Sequence, residues 1–194
     1  MNLFDQEDQG RCNMAELIVY VNENGEPTGE TDHKLEAHHG HTKLHLAFSC
    51  YIFNLKKELL VTQRAFTKKV WPGVWTNSVC GHPGPGESLE DTIVRRAHYE
   101  LGTEVTSIQK ILPDYTYKTP LFNGVIENEY CPVFVAEVAS NIKANQQEIE
   151  SYKWLKWSDF TAQALGDESN VWSYWCKDQI PKLEVESQFK SYIS

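Results

Sequence analysis

Between Ser88 and Gly102 the stretch SLEDTIVRRAHYELG marks a helix at both of its ends. Ser88 is placed to act as N-cap with Asp91, three residues on, as its capping-box partner, and Gly102 suits the left-handed position after the last turn. Leu89, Ile93, Ala97 and Leu101 recur at helical spacing and form a stripe to be buried, with Glu100 flanking it. A helix with one apolar stripe must pack on another layer, and the remaining sequence supplies strands for that layer.

LIVYV reads as a strand, followed by the Asn-Gly and Pro turn signals of NENGEPTG. HLAFSCYIFN (45–54) and ELLVTQRA (58–65) read as two strands of a hairpin joined by a short turn. WPGVWTNSVCGHPGPGE reads as a loop with one strand-like stretch, its Trp71 and Trp75 being core candidates. NGVIENEYCPVFVAEV reads as a strand or strand pair, YKWLKW (152–157) as another strand, and SDFTAQAL and residues 170–179 as helices. Mixed strands and few helices predict one α+β or layered α/β/α domain over residues 16–194. Residues 1–15, polar and aperiodic, are expected to form a flexible arm.

Charge and composition narrow the partners. A formal net charge of −9 disfavours nucleic acid and anionic membrane at long range. A small anionic ligand would need local cations and a metal to overcome that field. The chain has no run of about 18 apolar residues, and its start lacks the basic and apolar regions of a signal peptide. Cys12, Cys50, Cys80, Cys131 and Cys176 are an odd, scattered set that does not read as a disulfide framework. These features predict a cytoplasmic protein with free thiols, a monomer or weak dimer.

Five of the seven histidines, His33, His38, His39, His41 and His45, fall within HKLEAHHGHTKLH. That clustering is compatible with a metal site or with a solvated loop. In IENEYCPVF, Glu127 and Glu129 project to one face of a strand, with Cys131 next on it. A buried pair of carboxylates repels unless a cation or a proton lies between them. With His82 the set becomes three imidazoles and two carboxylates, which suits a first-row divalent metal such as Zn²⁺, Mn²⁺ or Fe²⁺. Cys80, two residues before His82, can be read as an acid, a nucleophile, a metal ligand or a small turn residue.

From Gly81 to Gly102 the spacing is Gly, five residues, Glu87, seven residues, Arg95, then RAHYELG. This resembles the Nudix motif, G-x5-E-x7-R-E-U-x-E-E-x-G-U, of pyrophosphohydrolases. Arg96 stands where that pattern has a Glu, and Tyr99 stands where it has the first Glu of its pair. Only Glu100 is left of the helical carboxylates that hold water-activating divalent ions. The departures imply that a diphosphate is bound and not hydrolysed.

TKLHLAFSCYIFN, KKVWPGVWTNSVCGHP, GESLEDTIVRRAHYELG and ENEYCPVF, in this order, resemble the type I isopentenyl-diphosphate Δ-isomerases of the Nudix superfamily. The resemblance implies a Nudix-type domain of mixed sheets flanked by helices. It also implies interconversion of isopentenyl and dimethylallyl diphosphates for isoprenoid synthesis, through a carbocation-like intermediate. It assigns Cys80 and Glu129 to acid/base roles on either side of the substrate, and gives Tyr117 a hydrogen bond to Glu129. Cys80 would serve as a thiol or thiolate tuned by surrounding cations. Trp175 would be the aromatic wall for the cation, with Trp172 as a competitor for that role. His38, His45, His82, Glu127 and Glu129 match the family's ligands for a second divalent metal, Mn²⁺ or Zn²⁺, whereas His33, His39 and His41 have no counterpart. Glu100 and the Cys80 backbone carbonyl would hold a Mg²⁺ arriving with the diphosphate. Lys34, Arg64, Lys68 and Arg96 match its diphosphate-contacting positions.

Overall fold

The computed structural model describes residues 17–38, 40–138 and 140–193. The arm expected over residues 1–15, with Cys12, and His39 lie outside the described residues. Strand β4 (Phe48–Phe53) is the axis of the fold, and all six residues of FSCYIF are buried. Burial of both faces means that the strand is covered by a layer on each side. Phe48, Cys50 and Ile52 face Ile93, Ala97 and Leu101 of the capped helix, together with Leu60 and Phe134. Tyr51 and Phe53 face the opposite layer, which contains Trp157, Phe160, Ile180, Leu183 and Phe189. The layered α/β/α arrangement follows.

In the larger sheet β4 runs parallel to β11 (Val133–Val138) and antiparallel to β5 (Leu59–Arg64) and β7 (Val79–Gly81). The outer positions are taken by β8 (Val105–Leu112), beside β11, and β12 (Ile149–Leu155), beside β5, which also pairs with β6 (Trp75–Thr76). The smaller sheet has the order β2 (Pro27–His33), β1 (Leu17–Val21), β3 (His45–Leu46), β10 (Asn128–Tyr130), β9 (Thr116–Lys118).

Two segments, one reading as a single strand and the other as a strand or strand pair, are each divided between the sheets. HLAFSCYIFN breaks at Ala47 into β3 and β4, and the strand pair in ENEYCPVFVAEV breaks at Cys131-Pro132 into β10 and β11. The breaks lie side by side: Ala47 N–H donates to Tyr130 O (2.9 Å) and Ser49 N–H to Pro132 O (3.1 Å). Buried, mostly apolar residues run on through both breaks without alternating, so periodicity does not reveal them. Cys131, at the second break, is buried in the core beside Ser49 and still interacts with the Glu129 carboxylate.

Helix α1 (Lys34–Ala37) lies within the histidine-rich segment that reads as a loop. Helix α2 (Leu89–Arg96) has the expected cap: Ser88 Oγ accepts from the Asp91 N–H at 3.1 Å and donates to Asp91 Oδ2 at 2.7 Å. The last turn departs from expectation, because Ala97–Leu101 is a π turn that ends on Gly102 in the left-handed region (φ 58°). Glu87 and Arg95 of the Nudix-like spacing tie the preceding loop to the helix. Arg95 Nε and Nη2 donate to the two Glu87 oxygens at 2.6 and 2.7 Å, and Glu87 Oε2 accepts from the Gly84 N–H.

Helix α3 (Trp157–Leu165) matches SDFTAQAL but begins at Trp157, which the sequence places in the preceding strand; that strand ends at Leu155. The helix expected over 170–179 is instead α4 (Tyr174–Val185), started by Ser173 as N-cap, and α5 (Ser187–Ile193) follows it. Trp172 forms an isolated bridge to Trp75, which holds residues 171–173 extended until the Ser173 cap. No described helix is long and apolar enough to cross a membrane.

A Cβ at residue 102 would lie 2.5 Å from the Lys143 carbonyl oxygen, on a backbone already at positive φ. Gly102→Ala should therefore lower unfolding free energy by about 1–3 kcal/mol, read as a fall in the urea midpoint.

Candidate active site and metal centre

Strand register builds the first half of the site. Glu129 on β10 lies directly opposite His45 on parallel β3 and opposite Tyr117 on antiparallel β9. Three polar side chains thus form a row across the smaller sheet, close to where the chain changes sheets. His82 follows β7, whose Cys80 is paired with Ser49 of β4. His38 closes α1, and Glu127 precedes β10 with its N–H bonded to Thr119 Oγ1 at 2.9 Å. Ligand atoms of His38, His45, His82, Glu127 and Glu129 all lie within 4.8 Å of one another.

The donor atoms of this cluster fit a divalent metal. His38 and His45 each use Nδ1 on a backbone carbonyl, Lys34 O at 2.5 Å and Lys43 O at 2.9 Å, which turns Nε2 inward as a lone-pair donor. His45 Nε2 and His82 Nε2 face each other at 3.2 Å, and His82 Nε2 is also 3.1 Å from Glu129 Oε1. His38 Nε2 lies 3.0 Å from Glu127 Oε2, and both atoms are buried without a well-formed hydrogen bond. Lone pairs converging in a buried space ask for a cation.

Burial pushes His82 down to about 3, with Lys34 and His45 adding to the effect, so its imidazole is neutral. His38 is also penalised by burial, but the Glu127 carboxylate outweighs that and raises it. Burial alone would raise Glu129; the imidazoles of His45 and His82 beside it reverse this and hold it well below the usual carboxylate range. Three neutral-capable nitrogens and two carboxylates are the ligand mixture of a first-row divalent ion. The Cys80 thiol lies outside this cluster.

Cys80 and Trp175 approach the same pocket, about 540 Å³ including its open mouth, from the other side of the row. Cys80 Sγ donates to Asn77 Oδ1 at 3.2 Å and lies 3.4 Å from Ser49 Oγ. Burial pushes the thiol up to about 12, with Glu129 and Glu100 adding to it and the Ser49 hydroxyl opposing it. Of the two expected forms, thiol or thiolate, desolvation favours the thiol. Tyr117 donates to Glu129 Oε2 at 2.8 Å, and burial followed by the Glu129 charge raises its phenol well above the usual value.

Trp175 is buried, stands edge-on to Trp71 and lines the pocket, whereas Trp172 packs on Phe160 and Trp75 in the core. Of the two tryptophans, Trp175 is among the pocket's lining residues and Trp172 is not. His33 and His41 are outside the ligand cluster.

Lys34, Arg64, Lys68 and Arg96 converge on the same pocket from α1, β5, the loop after it and α2. Arg64 Nε and Nη2 are fastened to Trp71 O (3.0 Å) and Val70 O (2.9 Å). Arg96, whose side chain is 5% exposed, contacts Glu100 Oε1 through Nη2 at 2.7 Å.

Two residues of the site carry no signal in the sequence. Asn77 is fully buried; its Nδ2 is bonded to Cys50 O and Val79 O, and its Oδ1 accepts from both Cys80 Sγ and Trp175 Nε1. One amide thereby fixes the thiol and the indole together. Glu148, in the polar run NQQEIE, lines the pocket beside Lys68.

The NUDIX domain family matches residues 43–176. The chain is 45% identical over 168 residues to an isopentenyl-diphosphate Delta-isomerase of Saccharopolyspora erythraea, covering 87% of this chain and 86% of that protein. It is 44% identical over 180 residues to the Escherichia coli protein of the same name, covering 92% and 97% respectively. Among solved structures, a protein from Deinococcus radiodurans superposes with a TM-score of 0.67 at 16% identity, over 86% of this chain and 98% of the other. That last likeness speaks for the fold alone.

Loss of one ligand from the cluster should weaken metal binding by more than the roughly 10- to 100-fold typical of losing an outer partner. Mn²⁺ or Zn²⁺ titration is expected to raise the melting temperature of the native chain and to leave that of Glu127→Gln nearly unmoved.

Proposed function

The chain belongs to the type I isopentenyl-diphosphate Δ-isomerases of the Nudix superfamily, and from that premise we propose how its pocket interconverts isopentenyl and dimethylallyl diphosphates. The reaction adds a proton to the terminal alkene carbon and removes one from the neighbouring methylene. It needs one group able to give a proton and another able to take one, together with walls that stabilise positive charge and exclude water. The observation that carries the assignment is a half-buried cysteine thiol and a phenol-bonded carboxylate in one pocket with four cationic side chains.

Cys80 and Glu129 exchange protons with the two substrate carbons, one giving as the other takes, with the roles reversed in the opposite direction. Tyr117 orients the Glu129 carboxyl through its 2.8 Å hydrogen bond. The Trp175 indole faces the tertiary carbon where positive charge gathers. Lys34, Arg64, Lys68 and Arg96 hold the diphosphate. A cation at residue 96, in place of the carboxylate of the hydrolase pattern, favours retaining the diphosphate over cleaving it.

His38, His45, His82, Glu127 and Glu129 would hold Mn²⁺ or Zn²⁺, while Glu100 and the Cys80 carbonyl would hold the Mg²⁺ that accompanies the diphosphate. When bound, these ions supply positive charge that steadies the Glu129 carboxylate and the substrate oxygens. The free thiols of Cys50, Cys80, Cys131 and Cys176 are in keeping with a reducing, cytoplasmic setting.

Cys80→Ala is expected to lower isomerisation by at least the roughly 10²- to 10⁴-fold of a general acid/base group, with metal content and melting temperature retained. Loss of bound metal in that variant would instead make the thiol a ligand. Arg96→Glu should raise the apparent KM roughly 10- to 100-fold by replacing a charged hydrogen bond with repulsion. An unchanged KM would remove Arg96 from the diphosphate subsite.

A further inference from the structure

Four cations around one pocket repel each other, and burial adds to the cost of keeping them charged. Lys68 feels this most directly: burial lowers its pKa, Arg64 and Lys34 push it the same way, and Glu148 opposes them. Glu148 Oε2 lies 2.5 Å from Lys68 Nζ and 3.5 Å from Arg96 Nη2, with the three side chains 14%, 22% and 5% exposed. The backbone fixes this carboxylate to both cation-bearing segments. Ala65 N–H donates to Glu148 O at 2.9 Å, and Lys68 N–H donates back to Ala65 O at 3.1 Å. On the other side, Glu148 N–H donates to Asn145 O at 2.9 Å and Asn145 N–H to Glu100 O at 2.8 Å, which leads to the helix that carries Arg96.

We propose that Glu148 is a positioning residue of the diphosphate subsite, holding Lys68, with Arg96 at its edge, where the diphosphate oxygens meet them. The inference rests on the diphosphate-binding reading above and assigns it a carboxylate that never touches the reacting carbons. Glu148 acts through Lys68: it fixes the ammonium across two loops and balances its charge until the substrate arrives. An ammonium released from this anchor would sample other rotamers, and binding substrate would then have to order it again.

The test compares native protein, Glu148→Gln, Glu148→Asp, Lys68→Met and the Lys68→Met/Glu148→Gln double variant. Calorimetry with Mg²⁺ and inorganic pyrophosphate gives Kd independently of isomerisation, and steady-state kinetics gives KM and kcat. Glu148→Gln should weaken pyrophosphate and raise KM on the order of tenfold, with kcat little changed. Glu148→Asp should recover part of the loss, and the double variant should bind no worse than Lys68→Met.

Pyrophosphate affinity that is unchanged or tighter in Glu148→Gln would overturn the inference, the tighter case making Glu148 a competitor of substrate. A fall in kcat at constant KM would also overturn it, as would multiplying losses in the double variant. A native protein that binds pyrophosphate but does not isomerise would fail the isomerase reading while leaving the Glu148 comparison intact. A native protein that binds no pyrophosphate would sink both.

Discussion

Two carboxylates and three imidazoles are gathered in a buried space no wider than 4.8 Å between ligand atoms. Such a set is stable only with positive charge among its members, whether protons on the imidazoles or a metal ion. Everything about its placement comes from strand register. His45, Glu129 and Tyr117 occupy one row across β3, β10 and β9, so a one-residue slip would send the carboxylate to the opposite face of the sheet. The side-by-side breaks at Ala47 and Cys131-Pro132 end that row where the chain passes into the larger sheet. Cys80, paired with Ser49 just beyond the break, thus comes to the same pocket from the other sheet.

The capped helix supplies the second constraint. Its stripe of Ile93, Ala97 and Leu101 locks it to the central strand, and the π turn at its end carries Glu100 into a buried position beside Arg96. In a Nudix hydrolase pattern this face gathers carboxylates for water-activating ions. Here Arg96 and Tyr99 replace two of them, and the helix turns from a water-activating surface into part of a cationic cradle. Glu87 and Arg95, which keep the pattern, bind each other and hold the loop that leads to His82.

The sequence made the chemistry more legible than the architecture. Ser88, Asp91 and Gly102 announce the helix because caps are local, and they were found where expected. The candidate histidines and carboxylates, with Cys80, are legible from residue type and family resemblance; the fold brings His38, His82, Glu127, Glu129 and Cys80 to one pocket, with His45 fully buried against them. The change of sheet at Ala47 and Pro132 is not legible, since strands buried on both faces read as near-continuous apolar runs with no periodicity to break; the second segment admits a strand pair as one of its two readings. Strands β2, β8 and β9 gave little signal because they are mostly exposed, so their residues lack a one-sided apolar pattern. Asn77 was invisible for a different reason. Its importance lies in tying Cys80 and Val79 beside it to Cys50 and Trp175, which are distant in the sequence, and an Asn in a turn-rich stretch is ordinarily read as a turn residue.

Proton exchange without loss of phosphate separates this account from hydrolysis on the same fold. The most direct measurement is a proton-NMR time course in D₂O with metal-replete protein, Mg²⁺ and isopentenyl diphosphate, with inorganic phosphate assayed in parallel. The account predicts deuterium-labelled dimethylallyl diphosphate and no phosphate. Phosphate release without isomerisation would contradict it and return Glu100 to the role of a hydrolase carboxylate.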